Sequence, residues 1–409
     1  MPGRRAALYA FLVASLALGL WLGHPMFFQL AYLALGLLIV SVLWTWGGVL
    51  WLRVERRTDA RRGQVGRPLT ETLSVQNRSL LPRLWLEVRD HSTLPGHLPG
   101  RVLVNIPPRA RHEWAVTTTC MLRGLYRLGP TTLVSGDPFG FFEARRDLKA
   151  KNEVLVYPET VPLHDFAPTA GQLVGGEARR QPVHFVTPNA AGVREYVPGD
   201  SLNRIHWLST ARRGRLMSKE FEVDPLADVW IVLDNDARAH PAAIVPAFST
   251  EECAVKVAAS LVRYFLEKAR SVGFITYAPG RTFIQPDRGA RQLTKALEAL
   301  ATSRATGSTS LHDLLALEGE RFARATTLVI VTPSTTLRWI EDVRRLDLKG
   351  VHLVVVHIDP VSFSGAADGA AAGAEEVVRA LRTAGVTVYP VRQGDDLRKT
   401  LSGRPAAGR

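Results

Sequence analysis

Cysteine is nearly missing from this chain. Cys120 and Cys253 are the two among 409 residues. They stand far apart, which indicates no disulfide framework and suits a reducing compartment. The short motifs of nucleotide chemistry are missing too: there is no G-x-x-x-x-G-K-[ST] loop and no G-x-G-x-x-G after a strand. Histidines stand singly, none paired at metal-ligand spacing, and Ser201 and Ser209 lack nucleophile-elbow surroundings. A conventional enzyme is therefore not indicated. Acidic residues are in deficit, 38 against 51 basic ones, for a formal net charge of +13. That excess invites a nucleic-acid reading. Much of it, however, is the run Arg53, Arg56, Arg57, Arg61 and Arg62, for which anionic lipid is the simpler partner, at about 1 kcal/mol per basic residue near a surface.

Charge is absent altogether from two stretches, Ala6–Gly23 and Met26–Leu52. A bilayer core needs about 20 apolar residues at 1.5 Å rise each, so the two predict a transmembrane hairpin broken at His24 and Pro25. Arg4 and Arg5 precede it, the arginine run follows it, and the connecting turn carries no cation. Positive-inside bias then puts both ends in the cytoplasm, giving a multi-pass cell-membrane protein with its soluble domains on that side.

Past the hairpin, residues 53–158 hold short alternating segments such as "LTETLSVQN", "LWLEVRD", "RVLVNI" and "HEWAVTTTC", separated by turn-formers. This is the pattern of an antiparallel sandwich or barrel. "GDPFGFF", Gly136 to Phe142, reads as a corner plugged by Phe139, Phe141 and Phe142. Residues 159–226 form a connector, and within it Pro198-Gly199-Asp200 favours a turn. A short helix over Asn203–Ala211, capped by Asp200 or Ser201, is expected next, with Arg194 and Arg204 pairing to Asp200. Residues 227–409 alternate apolar strands ("DVWIVLD", "GFITYAP", "TTLVIVTPS", "VHLVVVHID", "VTVYPV") with helical patterns, including Leu311–Ala323. They predict a doubly wound α/β domain with a mostly parallel sheet. Ser249 and Glu252 form a capping-box pattern, and Ser364–Glu375 reads as a small-residue loop.

Ligands of such sheets bind at the carboxyl ends of the strands. Asp234 and Asp236 stand at the first of these ends, two residues apart, as candidate Mg²⁺ ligands, with Ser308, Thr309 and Asp359 as candidate helpers.

The series Arg194-x-Tyr196-x-Pro198-Gly199-Asp200, Arg204-Ile205-His206-Trp207 and Ala211-Arg212 resembles the signature of the bacterial domain-of-unknown-function 58 family. Upstream, Arg123-Gly124, Leu128-Gly129-Pro130, Asp137-Pro138-Phe139-Gly140 and Val156-Tyr157-Pro158 resemble another block of that family. The resemblance implies an immunoglobulin-like sandwich and a von Willebrand factor A-like domain facing the cytoplasm. It also implies a role beside a MoxR-type AAA+ ATPase, with a transglutaminase-like membrane protein as a further partner. Two departures stand out. Leu208 follows the tryptophan where lysine is usual, and a metal-dependent adhesion site would read Asp-x-Ser-x-Ser where this chain has Asp234-Asn235-Asp236-Ala237-Arg238. No cofactor is therefore expected, and none of the residues is assigned a catalytic role. The expected function is a membrane-anchored interaction module. The alternatives are a metal-dependent hydrolase or transferase at Asp234 and Asp236, and nucleic-acid binding through Arg204–Lys219.

Overall fold

The computed structural model describes residues 2–149, 152–164, 166, 190–197, 205–221, 228–243, 245–278, 280–364 and 369–402. The chain divides into two compact units, Met1–Glu159 and Thr160–Arg409.

The first unit opens with α1 (Pro2–Leu22) and α2 (Pro25–Leu50), both long and apolar enough to cross a membrane. Gly23, at φ +66°, turns the chain between them. His24 starts α2, its Nδ1 accepting the Met26 N–H at 3.3 Å with Pro25 in the first turn. The burial is inverted relative to a soluble hairpin. Ser15, Ala31, Ala34, Ser41 and Thr45 are buried, whereas Leu20, Trp21, Tyr32, Leu33 and Trp46 are exposed.

Ten strands follow: β1 (Leu52–Thr58), β2 (Arg62–Gln64), β3 (Pro68–Asn77), β4 (Arg83–Asp90), β5 (Arg101–Ile106), β6 (Arg111–Thr119), β7 (Gly124–Leu128), β8 (Thr131–Gly136), β9 (Glu143–Leu148) and β10 (Asn152–Tyr157). They form antiparallel sheets β1-β3-β6 and β5-β4-β8-β9, and a third sheet β2-β10-β7. Strand alternation places Leu73, Val75 and Trp114 of the first sheet and Leu86, Val88, Leu103 and Leu133 of the second in one apolar cluster.

Two expectations are corrected in this unit. Arg56 does not face lipid. It lies inside the unit, 3.0 Å from Glu71 and paired with Asp90, because β1 begins at Leu52 and carries the arginine run into the sheet. The "GDPFGFF" corner is not plugged by all three of its aromatics, Phe141 and Phe142 being only half-buried. Phe139 is exposed, and Asp137 holds the turn by accepting the N–H groups of Phe139 (3.0 Å) and Phe142 (2.6 Å).

The second unit begins with the antiparallel pair β11 (Ala190–Glu195) and β12 (Met217–Phe221), with α3 (Trp207–Arg213) between them. Six strands then build one sheet: β13 (Val229–Leu233), β14 (Val272–Tyr277), β15 (Arg281–Asp287), β16 (Thr327–Thr332), β17 (His352–Ile358) and β18 (Thr387–Val391). The order is β15-β14-β13-β16-β17-β18, with only the β14–β15 pair antiparallel. The helices are α4 (Thr250–Glu267), α5 (Gly289–Thr302), α6 (Leu311–Glu318), α7 (Ile340–Leu348), α8 (Pro360–Ser364), α9 (Gly369–Thr383) and α10 (Leu397–Ser402). Residues of β13 alternate between two cores. Ile231 and Leu233 pack with Ala258 and Leu261 of α4, while Trp230 and Val232 pack with Leu314 of α6 and Val343 of α7. Burial on both faces is why these strands read as unbroken apolar runs.

Two boundaries differ from expectation. The α6 helix stops at Glu318 and continues as a single 3₁₀ turn, Gly319–Arg321. The segment expected as a small-residue loop is helical from Gly369 onward, which fits the high helix propensity of its alanines. Residues 365–368 of that segment lie outside the described residues.

Candidate functional site

The chain leaves β13 for β14 on one side, and β16 for β17 on the other. The carboxyl ends of β13 and β16 therefore flank the point where strand order reverses, the usual place for a ligand in an open α/β sheet. Asp234, Asn235 and Asp236 follow β13 there, each buried.

Asp234 has both oxygens engaged within the chain. Oδ1 accepts the Asp236 N–H at 3.1 Å and Oδ2 accepts the Thr332 hydroxyl at 2.7 Å. Burial pushes its carboxyl up from the usual range, and the Thr332 and Asp236 bonds oppose that. Its carbonyl meets Nε2 of His240 at 2.9 Å, while Nδ1 of His240 lies 2.9 Å from the Thr250 hydroxyl. The carbonyl requires Nε2 to donate, and in the neutral ring Nδ1 then accepts from Thr250.

Asp236 is held by its own neighbour. Arg238 donates from Nε (2.9 Å) and its backbone N–H (3.0 Å) to Oδ1, and from Nη2 to Oδ2 at 2.8 Å. A second Nη2 bond reaches the Ser308 carbonyl at 3.2 Å. The fork thus sits on the face of the carboxylate where a cation ligand would sit.

Asn235 braces the loop, its Nδ2 donating to Thr276 Oγ1 (2.8 Å) and Ser303 Oγ (2.7 Å). Its carbonyl accepts the Gly307 N–H at 3.0 Å, and the Gly307 carbonyl accepts the Ala237 N–H at 2.9 Å. Only glycine fits at 307, since a Cβ there would lie 2.3 Å from the Tyr277 carbonyl oxygen.

Of the expected helpers, Ser308 joins the cluster through its carbonyl. Asp359 stands at the end of β17 instead, pairing with Arg392 at 3.5 Å. It lines a cleft of about 650 Å³ with His357, Glu375, Arg379 and Arg382. Burial lowers the pKa of His357, whose Nε2–H donates to the Ser334 carbonyl at 3.1 Å. Among the described residues, no group of three or more His, Cys, Asp or Glu is placed to hold a metal ion. Thr332, His240 and Gly307 shape this strand end, yet they carry no local sequence signal beyond lying at or beyond a strand end.

The signature segment lies partly in view. Pro198, Gly199, Asp200 and Arg204 are outside the described residues, and of Arg194 only the backbone, opposite Ser218 in the β11–β12 pair, is described. Tyr196 donates its N–H to the Leu216 carbonyl at 2.9 Å. The short helix is α3, Trp207–Arg213, rather than Asn203–Ala211. Its cap is His206, whose Nδ1 accepts the Ser209 N–H at 3.2 Å and lies 2.8 Å from the Ser209 hydroxyl. A cap at 206 moves the first turn past the expected start. Gly214, at φ +65°, ends the helix. Ile205 and Met217 are buried beneath it, leaving Trp207 (68% exposed), Leu208 (61% exposed) and Arg212 on the surface.

Residues 192–364 match the sequence profile of the family described as "Protein of unknown function DUF58". "Uncharacterized protein YeaD" of Bacillus subtilis is 23% identical over 218 residues, 52% of this chain and 52% of that protein. The chain thus matches about half the length of that relative. Among solved structures, the CARDB domain of PF1109 from Pyrococcus furiosus, crystallised in complex with di-metal ions, covers 26% of this chain and 91% of its own, at 17% identity and a TM-score of 0.20. Proximal thread matrix protein 1 from the mussel byssus covers 43% and 46%, at 11% identity and a TM-score of 0.29.

Proposed function

We propose that this chain, whose residues 192–364 match the profile of the DUF58 family, is a membrane-anchored, cytoplasm-facing interaction module that docks a MoxR-type AAA+ ATPase or that ATPase's client. On this reading α1 and α2 span the bilayer, the two facing sheets are an immunoglobulin-like sandwich, and the six-stranded sheet is a von Willebrand factor A-like domain. A transglutaminase-like membrane protein is a further partner. Support for the membrane anchor is the inverted burial of α1 and α2, small and hydroxyl residues inside and large apolar ones outside, as helices packed in lipid require.

The observation that carries docking is the surface of α3. An indole and a leucine lie open to solvent with Arg212 and Arg213 beside them. Trp and Arg dominate binding energy in protein interfaces, and a buried Ile205 and Met217 give that surface a fixed base. The acidic strand end offers less to a metal-dependent reaction, since Arg238 already bonds both oxygens of Asp236.

The test is co-purification of the full chain, in detergent or nanodiscs, with the MoxR-type ATPase of the same cell. Trp207→Ala should weaken capture by roughly tenfold or more, the scale of a hot-spot truncation, while leaving the melting temperature unchanged. Undiminished capture by Trp207→Ala and Arg212→Ala together would remove α3 as the docking surface.

A further inference from the structure

Seven strand ends and two helix ends converge at one end of the first unit. Leu52 pairs with Asn77, Gln76 with Arg111, Arg83 with Ile106, and Gly136 with Glu143. The last turn of α2 is bonded to this same end. Arg83 donates to the Gly47 carbonyl at 2.6 Å, and Arg146 to the carbonyls of Val49 (3.1 Å) and Leu50 (3.0 Å). The start of α1 reaches it too, Arg5 donating to the Phe141 carbonyl and lying 5.0 Å from the centre of the Phe142 ring. The loops that close this end are therefore 78–82, 107–110 and 137–142. Asn77 ties the first two together, its Nδ2 donating to the carbonyls of Leu81 (3.0 Å) and Pro107 (3.1 Å).

The surface of these loops is apolar and cationic. Leu80 is 74% exposed, Trp51 57%, Leu81 47% and Phe139 46%. Arg4, Arg78 and Arg109 are exposed among them. The single acid in the three loops is Asp137, buried and occupied by backbone N–H groups. The far end differs. Strand β1 leads away at about 3.3 Å per residue, so Arg57, Arg61 and Arg62 are carried roughly 16 Å or more from Leu52.

We infer that this end of the first unit is immersed in the headgroup layer of the leaflet that α2 enters, with Trp51, Leu80, Leu81 and Phe139 in the interface and Arg4, Arg78 and Arg109 on anionic lipid phosphates. The inference rests on α1 and α2 spanning the bilayer, as proposed above. Lipid is the occupant because the exposed apolar side chains stand at the end of the unit to which the last turn of α2 and the start of α1 are bonded, and aromatic and basic residues are what the interface selects. The cations that meet the membrane thus include Arg4, Arg78 and Arg109, from three separate stretches, rather than Arg56, Arg57, Arg61 and Arg62.

The test places a fluorophore on single cysteines in the full chain in nanodiscs. Cys120 is buried and burial pushes its thiol up, while the Cys253 thiol is pushed up to about 12, so an introduced thiol takes the label. Labels at Phe139→Cys and Leu80→Cys should be quenched by shallow doxyl lipids roughly twofold or more above one at Ala60→Cys, at the far end, and adding phosphatidylglycerol should increase that quenching. Arg4→Gln, Arg78→Gln and Arg109→Gln together should abolish the increase. A Leu33→Cys label in α2 reports the anchor itself. Quenching at Leu33→Cys without quenching at Phe139→Cys overturns the immersed end and leaves the anchor standing. No quenching at either position overturns the anchor as well. A Phe139→Cys label shielded from iodide yet untouched by doxyl lipid means that a protein, not lipid, covers this end, and overturns the inference.

Discussion

At Asp236 the position a divalent ion would need is taken by a side chain two residues away. Both oxygens of the carboxylate bond Arg238, so a cation would have to displace a bidentate fork. Calorimetry on the full chain should accordingly show no Mg²⁺ isotherm. Arg238→Ser, which frees the carboxylate and supplies a hydroxyl, should gain one. Mg²⁺ binding by the unaltered chain, lost in Asp236→Ala, would restore the metal-dependent alternative. His357 makes a second residue-scale prediction. Burial holds its folded pKa below the ordinary value of 6.5, so the unfolded chain takes up the proton first as pH falls. Its contribution to stability is present above that ordinary value and is lost as pH falls through the folded pKa. Melting temperature should therefore drop between neutral and mildly acidic pH, and His357→Gln, which keeps a donor for the Ser334 carbonyl, should drop less. Equal slopes for the two proteins would assign the acid sensitivity elsewhere.

Among the elements, β13 and β14 show how closely backbone and side chain are matched. Trp230 lies opposite Gly273 in the parallel pair, and a Cβ on Gly273 would stand 2.6 Å from the indole. The ring is only 6% exposed, with Phe283 and Phe322 rings 5.4 and 5.9 Å away, so it has little room to retreat. Gly273→Ala should cost about 1–3 kcal/mol, the range for overpacking a dense core, read as a lowered denaturation midpoint. An unchanged midpoint would mean that the aromatic cluster can re-pack. The capping pattern read from Ser249 and Glu252 corresponds to a real cap, the Ser249 hydroxyl accepting the Glu252 N–H at 3.1 Å. The cap of α3 was not legible in the same way, because His206 takes a role more often played by Ser, Thr, Asp or Asn.

For the whole molecule, the charge pattern around the hairpin predicts both ends in the cytoplasm. A carboxyl-terminal reporter should be active only in its cytoplasmic form, and the chain should stay with membranes through an alkaline wash. Periplasmic activity at that terminus would reverse the proposed side. Release by the wash would remove the anchor. These outcomes do not depend on the α3 experiment, so anchor and docking surface stand or fall separately.

The features the sequence determined unaided are those set by near neighbours. Two long stretches without charge can satisfy their backbone only as helices if they enter lipid, and unbroken apolar runs such as Val229–Leu233 belong in a sheet covered on both faces. Period and composition are local quantities, and a single strand of sequence carries them. Tertiary structure decided what each polar residue does. Thr332 reaches Asp234 across 98 positions of chain, Arg146 reaches the Val49 carbonyl across 97, and Arg56 turns inward to Glu71 and Asp90. A cation beside a hydrophobic span looks the same in sequence whether it meets a phosphate or a buried carboxylate. The choice belongs to the strand register, because a strand that starts at Leu52 carries each later residue of the strand about 3.3 Å further from the helix end.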